Sequence, residues 1–298
     1  MVRSSCLVGL MGSDAARSLA VDLHEREARR HNLRYLCRRV DADGQALRGK
    51  GTPGLLRACR AFGFAGLAVA PPYRHTVASH LDELSRSAAR LQAVDVVVFT
   101  QDGRTVGHNT DVAGHTAAMA RGLPGVPLTR VVQIGAGAAG IAAAHALREQ
   151  KAEHLWVTDP VPGRARALAE QLDRSTGHHW VEAFPAGELP VRLQGADGLV
   201  NTLPSSGTGD QGTPWSELSE DLYKDLHKDL WIFDAHGHPL HSPLLRAGNA
   251  LGCRVLDAGG VLVNEAAAAF RLITGLTPHT SHMFGDLADL RAEPRAHT

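Results

Sequence analysis

Three glycines near the middle of the chain are spaced as in loops that hold the phosphates of a nucleotide. Gly135, Gly137 and Gly140 lie in the segment VVQIGAGAAGIAAAHAL, between an apolar strand-like run and an apolar helix-like run. In that context the first glycine permits a tight turn, the second lets a pyrophosphate approach the backbone, and the third lets the helix pack on the strand. Free N–H groups at the start of the helix then face the phosphates. The candidate cofactor-binding residues of this loop are Gly135, Ala136, Gly137, Ala138, Ala139 and Gly140.

An acidic residue follows the next strand-like run, at the position that distinguishes two dinucleotides. Asp159 ends the segment HLWVTD. A carboxylate there accepts hydrogen bonds from the ribose hydroxyls and repels a 2′-phosphate. Arg164 and Arg166 lie nearby, but the position itself is acidic. We therefore expect NAD, with NADP less favoured. The alternative is a glycine-rich turn in an α/β protein that binds no nucleotide.

Composition excludes several classes of partner. The chain has 298 residues, of which 44% are hydrophobic, enough for one or two domains with their own cores. The formal net charge is zero and no basic stripe is present, so we expect no nucleic-acid partner. No apolar run reaches the roughly 18 residues of a membrane span, and the N-terminal apolar stretch is too short for a signal peptide.

The cysteines and histidines indicate neither disulfides nor a metal site. No C-x-x-C pair is present among Cys6, Cys37, Cys59 and Cys253, so we expect free thiols and a cytoplasmic location. The histidines between 236 and 241 have no metal-ligand spacing and no neighbouring cysteine. We read them as polar loop residues and expect no metal.

Strand-like and helix-like segments alternate along the chain, which predicts an α/β architecture. In the first part we expect strands at 6–11, 33–40, 66–70 and 94–100 and helices at 18–30, 52–62, 76–91 and 110–121. The turn residues at 101–103 predict a hairpin. After a linker-like stretch at 122–127 we expect strands at 130–134, 154–159, 198–202, 230–234 and 254–257 and helices at 138–149, 163–172 and 261–273. The polar tail from Pro278 is expected to be partly disordered.

Several segments, in order over nearly the whole chain, resemble the shikimate/quinate dehydrogenase family. They are GLMGSDAARSLAVDLHE, GLAVAPPYRH, AVDVVVFTQDGRTVGHNTDVAG, the glycine loop, NTLP, FDAHGHPLHSPLL and LVNEAAAAF. The resemblance implies a substrate-binding α/β domain at 1–112, against which the C-terminal segment 261–298 packs, and a Rossmann-type NAD-binding domain at 113–260. It also implies reversible hydride transfer between a cyclic hydroxy acid and its ketone, in a cleft between the domains, within aromatic amino acid biosynthesis.

The resemblance implies roles for individual residues. Asp111 matches the family's catalytic aspartate, and Arg74 stands where the family has its catalytic lysine. The positions that match substrate-binding residues are Ser18, Ala70, Asp95, Asn109 and Glu265. The positions that match a second cofactor-contacting strand end are Asn201, Thr202 and Leu203.

The chain departs from the family pattern in the substrate pocket. The altered positions are Ala20 for a serine, Ala68 for an asparagine, Ala70 for a threonine, Arg74 for the lysine, Asp95 for an asparagine, Gly237 for a tyrosine and Glu265 for a glutamine. An arginine keeps its proton at any accessible pH, so Arg74 could polarise a carbonyl or anchor a carboxylate but could not carry the proton. Asp111, water, or a histidine such as His75 or His108 would have to carry it instead.

The sequence thus predicts an NAD-dependent dehydrogenase of shikimate, quinate or a related analogue such as an aminoshikimate. The added carboxylates at Asp95 and Glu265 motivate the amino analogue. The alternative is a family member repurposed as a dinucleotide-binding sensor, or as a lyase on a dehydroshikimate-like ligand. We expect a small-molecule substrate, no membrane partner, and a monomer or homodimer.

Overall fold

The computed structural model describes residues 5–12, 19–41, 51–203, 223–235 and 242–292. Among the sequence candidates, Ser18, Gly237 and the histidines between 236 and 241 lie outside these ranges. The chain divides into two compact units. The first unit comprises Met1–Asp111 and Val263–Thr298, and the second unit comprises Val112–Leu262.

The secondary structure alternates between strands and helices, as the sequence indicated. The elements up to the first unit's hairpin are β1 (Ser5–Met11), α1 (Leu19–Arg30), β2 (Arg34–Val40), α2 (Gly51–Ala61), β3 (Gly66–Val69), α3 (Arg74–Ala78), β4 (Glu83–Leu84), α4 (Arg86–Leu91), β5 (Val96–Phe99) and β6 (Thr105–His108). The sheet has the order β2-β1-β3-β5-β6-β4. Strand β5 runs antiparallel to both β3 and β6, so the hairpin prediction is confirmed.

The second unit contains a parallel sheet. Its elements are α5 (Asp111–Gly122), whose first residue belongs to the first unit, β7 (Arg130–Ile134), α6 (Ala138–Glu149), β8 (His154–Thr158), α7 (Pro162–Thr176), β9 (Val181–Ala183), a 3₁₀ turn (Ala186–Glu188), α8 (Leu189–Gln194), β10 (Gly198–Asn201), β11 (Trp231–Asp234), α9 (Pro243–Leu251) and β12 (Arg254–Leu256). The order β12-β11-β10-β7-β8-β9 is that of a doubly wound dinucleotide-binding fold. The predicted α/β class with a Rossmann-type unit is therefore confirmed.

Burial explains why the central strands of the second unit are largely apolar. Val131, Val132 and Ile134 of β7 are all buried, as in parallel sheets that helices cover on both faces. Two further helices end the chain: α10 (Gly259–Thr274), which begins in the second unit and continues into the first, and α11 (Thr280–Ala292). No helix in the described ranges is long and apolar enough to cross a membrane.

The single helix expected over 76–91 is wrong. Strand β4 separates two short helices there, because Asp82 is held by β6. The Asp82 Oδ2 accepts from the backbone N and the hydroxyl of Thr105 at 2.7 and 2.8 Å. Ser85 then caps α4 by accepting from the backbone N of Ala88. Leu84, which has helical spacing with its neighbours in sequence, instead lies in β4 and pairs with Gly107 of β6.

Much of the tail that was expected to be partly disordered from Pro278 forms helix α11, which is anchored to α1, while residues 293–298 lie outside the described ranges. Arg30 donates through NH1 and NH2 to the two carboxylate oxygens of Asp286, at 2.7 and 2.6 Å. Met283 and Leu287 of the same helix are buried. A bidentate guanidinium–carboxylate pair combined with buried apolar side chains is enough to order a helix that looks polar in sequence.

We expect Phe270→Ala to destabilise the first unit by roughly 3–5 kcal/mol, because its ring is fully buried and its removal leaves a cavity. The ring packs against His24 and Tyr35. Phe62→Ala is the matched control: this ring is 78% exposed, so its loss should change the free energy of unfolding by less than about 0.5 kcal/mol. Urea denaturation measures both; equal effects would contradict the packing.

Candidate active site

The glycine loop in the second unit accepts no side chain at its first and third glycines. Gly135 has φ +102°, a left-handed conformation that favours glycine, and a Cβ there would collide with the hydroxyl of Thr202. A Cβ at Gly140 would collide with the carbonyl oxygen of Gly135. The loop and the start of α6 therefore approach each other as closely as backbone allows.

The second glycine has open space where a side chain would project. Gly137 is the N-cap of α6, with extended backbone and no side-chain cap. A Cβ at this position would meet nothing within 4 Å. The absence of a side chain there is thus not required by packing within the protein. It fits the approach of a pyrophosphate to the uncapped helix start.

Gln133 braces the loop, and the sequence analysis missed it. Its buried side chain donates from Nε2 to the carbonyl oxygens of Gly135 and Gly140, at 2.8 and 2.9 Å. One amide thus bridges the first and third glycines and fixes the turn. The sequence signal that could have found it was a polar residue two positions before Gly135, in a strand that is otherwise largely apolar.

Asp159 lies at the carboxyl end of β8 and also holds the loop. Its Oδ2 accepts from the backbone N of Ala136 at 2.7 Å, and its Oδ1 accepts from the backbone N of Val161 at 2.8 Å. Each carboxylate oxygen has a second lone pair, so these bonds leave acceptor capacity for a ribose hydroxyl. Asp159 therefore supports the loop in addition to the selecting role that the sequence indicates.

The strand end after β10 lies beside the loop, because β10 pairs with β7 in the sheet. The backbone N of Thr202 donates to Ile134 O at 2.9 Å, which places this segment next to the end of β7. Asn201 shapes the turn, because its Nδ2 donates to Leu203 O and to Asp234 Oδ1, both at 3.1 Å. In open α/β sheets, ligands bind at the carboxyl ends of strands where the order reverses, as it does between β7 and β10.

Arg74 and Asp111 form an ion pair in the first unit. Arg74 begins α3, and its NH1 donates to Asp111 Oδ2 at 2.7 Å. Its Nε donates to the carbonyl oxygen of Val69, where β3 ends, at 3.1 Å. Asn109 holds the other side, since its Oδ1 accepts from the backbone N of Asp111 at 3.1 Å. The side chain at the family's lysine position is therefore fixed onto the family's aspartate.

Asp95 lies just before β5 and is buried. Its Oδ2 accepts from the backbone N of Thr110 at 2.8 Å and from the hydroxyl of the same residue. Its Oδ1 is buried and has no hydrogen-bond partner among the described residues. Thr110 is a second residue that the sequence analysis missed, although it stands between two candidates, Asn109 and Asp111.

Three carboxyl groups act on one guanidinium: Arg74 donates to Asp111 and also interacts electrostatically with Asp95 and Glu265. We call Arg74, Asp95, Asp111 and Glu265 the acidic cluster. Burial and the charge of Asp111 raise the pKa of Asp95 to about 7. Burial, followed by the charges of Asp111 and Asp95, raises the pKa of Glu265 well above its usual value. One cation cannot neutralise three carboxylates, so the cluster retains a proton near neutral pH.

The other candidates lie near this cluster in sequence without adding polar groups to it. Ala70 follows β3, and its methyl group offers no hydrogen bond. His75 is exposed, and its Nδ1 lies 2.8 Å from the carbonyl oxygen of Gln92. Burial lowers the pKa of His108, whose opposing charge is that of Glu83 rather than one of the cluster. The partner that His75 contacts is the carbonyl oxygen of Gln92, and the charge that acts on His108 is that of Glu83; neither partner is Asp111.

Known proteins similar to this chain share both units. A model of the shikimate dehydrogenase substrate binding domain matches residues 10–97. A shikimate dehydrogenase (NADP(+)) from Streptomyces avermitilis is 46% identical over 97% of either chain. A quinate/shikimate dehydrogenase (NAD(+)) from Corynebacterium efficiens is 38% identical over 95% of this chain and 98% of its own. The structure of quinate dehydrogenase from Corynebacterium glutamicum in complex with NAD superposes with a TM-score of 0.86, at 36% identity, over 96% of this chain and 99% of that one.

The raised pKa of Asp95 predicts that Asp95→Asn stabilises the protein more at pH 8 than at pH 5. The folded chain holds the Asp95 proton up to about pH 7, whereas the unfolded chain loses it near pH 4. Stability from this group is therefore complete below pH 4 and is lost as the pH rises through 7. An amide carries no such cost, so we expect a relative gain of roughly 1–3 kcal/mol between the two pH values.

Asp102→Asn is the matched control for this measurement. Hydrogen bonds from Thr100 and Arg104 lower the pKa of Asp102 to about 2, so its effect on stability is constant between pH 5 and 8. Chemical denaturation at both pH values measures the two variants. A gain that is independent of pH in Asp95→Asn would contradict a protonated carboxyl at that position.

Proposed function

The chain belongs to the shikimate/quinate dehydrogenase family, and from that premise we propose that it interconverts a cyclic hydroxy acid and its ketone with NAD. It is an NAD(P)-dependent oxidoreductase that acts on CH–OH groups. The proposed substrates are shikimate, quinate or a related analogue such as an aminoshikimate. The observation that carries the proposal is the ion pair of Arg74 with Asp111 inside the acidic cluster.

In this proposal a carboxylate, rather than the residue at the lysine position, takes the proton of the substrate hydroxyl. The neighbouring carboxylates raise the pKa of Arg74 above its ordinary value, although burial alone would lower it, so its guanidinium stays charged. Arg74 fixes the Oδ2 of Asp111 in one direction, and Asp111 is the proposed acceptor. Asp95, whose pKa lies near 7, can hold or release a proton at working pH.

The acidic cluster also supports the amino analogue among the proposed substrates. With three carboxyl groups to one guanidinium, the cluster remains anionic or shares a proton, and it lacks the neutral asparagine and glutamine that the family places at 95 and 265. A substrate ammonium group would replace the retained proton and balance the negative charge of Asp95 or Glu265. A ligand without a cation would leave those carboxyls to protonate instead.

The second unit supplies the residues that would hold the dinucleotide. The backbone of the loop at 135–140 fits a pyrophosphate, with Asn201, Thr202 and Leu203 at the adjacent strand end. When bound, the nicotinamide supplies the acceptor for the hydride that leaves the carbinol carbon. The buried carboxylate of Asp159 supports NAD over NADP, because a 2′-phosphate would face a like charge.

The proposed activity is tested by turnover assays with NAD and NADP against shikimate, quinate and an amino-substituted analogue. We expect reduction of NAD with at least one of these acids. Asp111→Asn should lower kcat by about 10²–10⁴-fold, since it removes the proposed proton acceptor. Arg74→Lys, which keeps the cation, should stay within about tenfold of the wild type, and Arg86→Lys is the control for the same change at an exposed position.

Two results would contradict this proposal. One is turnover that appears only in Arg74→Lys, which would mean that the wild-type pocket no longer performs the family's reaction. The other is binding of NAD, seen as a rise in melting temperature, without turnover of any of the acids in either direction. That outcome would favour a role in which the dinucleotide is a bound signal.

We expect Asp159→Asn to reduce the preference for NAD over NADP by at least about tenfold, because it removes the charge that opposes a 2′-phosphate. The asparagine can still accept from the backbone N of Ala136, so the loop keeps its support. Asp197→Asn is the control: this residue accepts from the backbone N of Arg130, at the other end of β7. Ratios of kcat/KM, or of Kd in the absence of turnover, measure the effect; an unchanged ratio would remove Asp159 as the selecting residue.

We further propose a cytoplasmic enzyme that is a monomer or homodimer. The support for the location is that none of Cys6, Cys37, Cys59 and Cys253 forms a disulfide, as is usual in a reducing compartment. Light scattering on the purified protein measures the oligomeric state directly.

A further inference from the structure

Two histidines and a glutamate converge in the first unit, away from the acidic cluster. Glu27 lies on α1, His31 immediately follows that helix, and His279 immediately precedes α11. The Oε1 of Glu27 lies 3.0 Å from His31 Nε2 and 2.9 Å from His279 Nδ1. The three ligand-type atoms all lie within 4.8 Å of one another. Glu27 and His279 are 252 positions apart in sequence, which is why no motif revealed the group.

The carboxylate of Glu27 is held in one orientation. It is fully buried, and its Oε2 accepts from Arg30 at 3.0 Å. The backbone N of His279 donates to Oε1 at 2.7 Å. Arg30 in turn is paired with Asp286, so its positive charge is already balanced by a second carboxylate. The donors from Arg30 and from the backbone N of His279 therefore fix the rotamer of Glu27, with Oε1 directed at the two imidazole rings.

We propose that Glu27, His31 and His279 form a binding site for a divalent transition metal ion of the zinc type. One carboxylate oxygen and two imidazole nitrogens are ligands that zinc prefers, and catalytic or surface sites commonly have three protein ligands and complete the shell with water. Ligands about 2.0–2.2 Å from a metal lie roughly 3–3.5 Å from one another. Both glutamate–histidine distances already approach this range, at 2.9 and 3.0 Å.

Binding requires only a shift of protons within the rings. In the metal-free protein each neutral histidine can donate an N–H to Glu27. A metal ion would take the lone pair of that same nitrogen, and the proton would move to the other ring nitrogen, so neutral histidines bind without net proton release. The side chain of His279 is about half exposed, at 49%, which leaves a path for the ion and room for water ligands.

The consequence of an ion at this site would be a second connection between α1 and α11. Those helices are already joined by the bidentate pair of Arg30 and Asp286. A metal bound to residues of both segments stabilises the folded state by mass action, since the unfolded chain does not hold the three ligands together. The site is thus structural in character and separate from the residues proposed for catalysis.

The test uses tag-free, full-length protein that has been treated with a chelator and titrated with Zn²⁺ by calorimetry and by thermal unfolding. We expect one saturable site and a melting temperature that rises with zinc concentration. His279→Gln and His31→Gln should each weaken the Kd by at least about tenfold. His282→Gln is the matched control, because this neighbouring histidine is exposed and is not one of the three ligands, so its Kd should stay within about twofold.

Cobalt absorption identifies the ligands independently of stability. Co²⁺ bound by one carboxylate and two imidazoles gives visible ligand-field bands without thiolate charge transfer. A thiolate band would place the ion on a cysteine and overturn the proposal. So would the absence of a saturable site in the wild type, or a Kd that His279→Gln and His282→Gln change equally. His279→Gln keeps the backbone bond to Glu27 and leaves an exposed position, so the variant can be measured as a folded protein.

Discussion

The ion pair between Arg74 and Asp111 is the interaction on which the candidate site depends. It joins Arg74 at the start of α3 to Asp111 at the start of α5. The guanidinium of Arg74 supplies the positive charge that acts on the three carboxyl groups. Removing the guanidinium would leave buried carboxylates uncompensated, which is costlier than losing the pair itself. In the proposed function, the same pair keeps Arg74 from transferring the proton, since an arginine held by a carboxylate is further from losing its proton.

The central strands and α6 of the second unit could be predicted closely because their signals are local, whereas β9, α8 and α9 were not predicted. Helix α6 begins at Ala138 and ends at Glu149, as the apolar periodicity and the glycine spacing indicated. The strands of a parallel sheet that is covered on both faces are apolar throughout, so they stand out from the sequence. The role of Gln133 could not be predicted, because a single polar residue inside such a strand shows no period. Only the fold reveals that its amide spans two glycines.

Errors in the first unit have a common physical cause, which is a polar contact between residues distant in sequence. Asp82 and Thr105 divide a segment with helical spacing, and Arg30 and Asp286 order a polar tail. At the candidate site, the family motifs pointed to Arg74 and Asp111, and the structure brings these two side chains together. The sequence could not show that Asp95 Oδ1 is left without a donor, because that depends on which groups surround it in the fold. Ser18 lies outside the described residues.

Two buried carboxyls in the same unit show why burial alone does not indicate a role. For Glu27, burial would raise the pKa, but hydrogen bonds from His279, Arg30 and His31 outweigh it and the pKa is lowered. For Asp95, burial raises the pKa and the neighbouring carboxylate of Asp111 raises it further, against the donors of Thr110. The number and charge of the donors therefore decide whether a buried carboxyl stays ionised or can exchange a proton at neutral pH. Glu27 has the donors of a fixed, permanently charged anchor. Asp95 has those of a group that can exchange a proton near neutral pH.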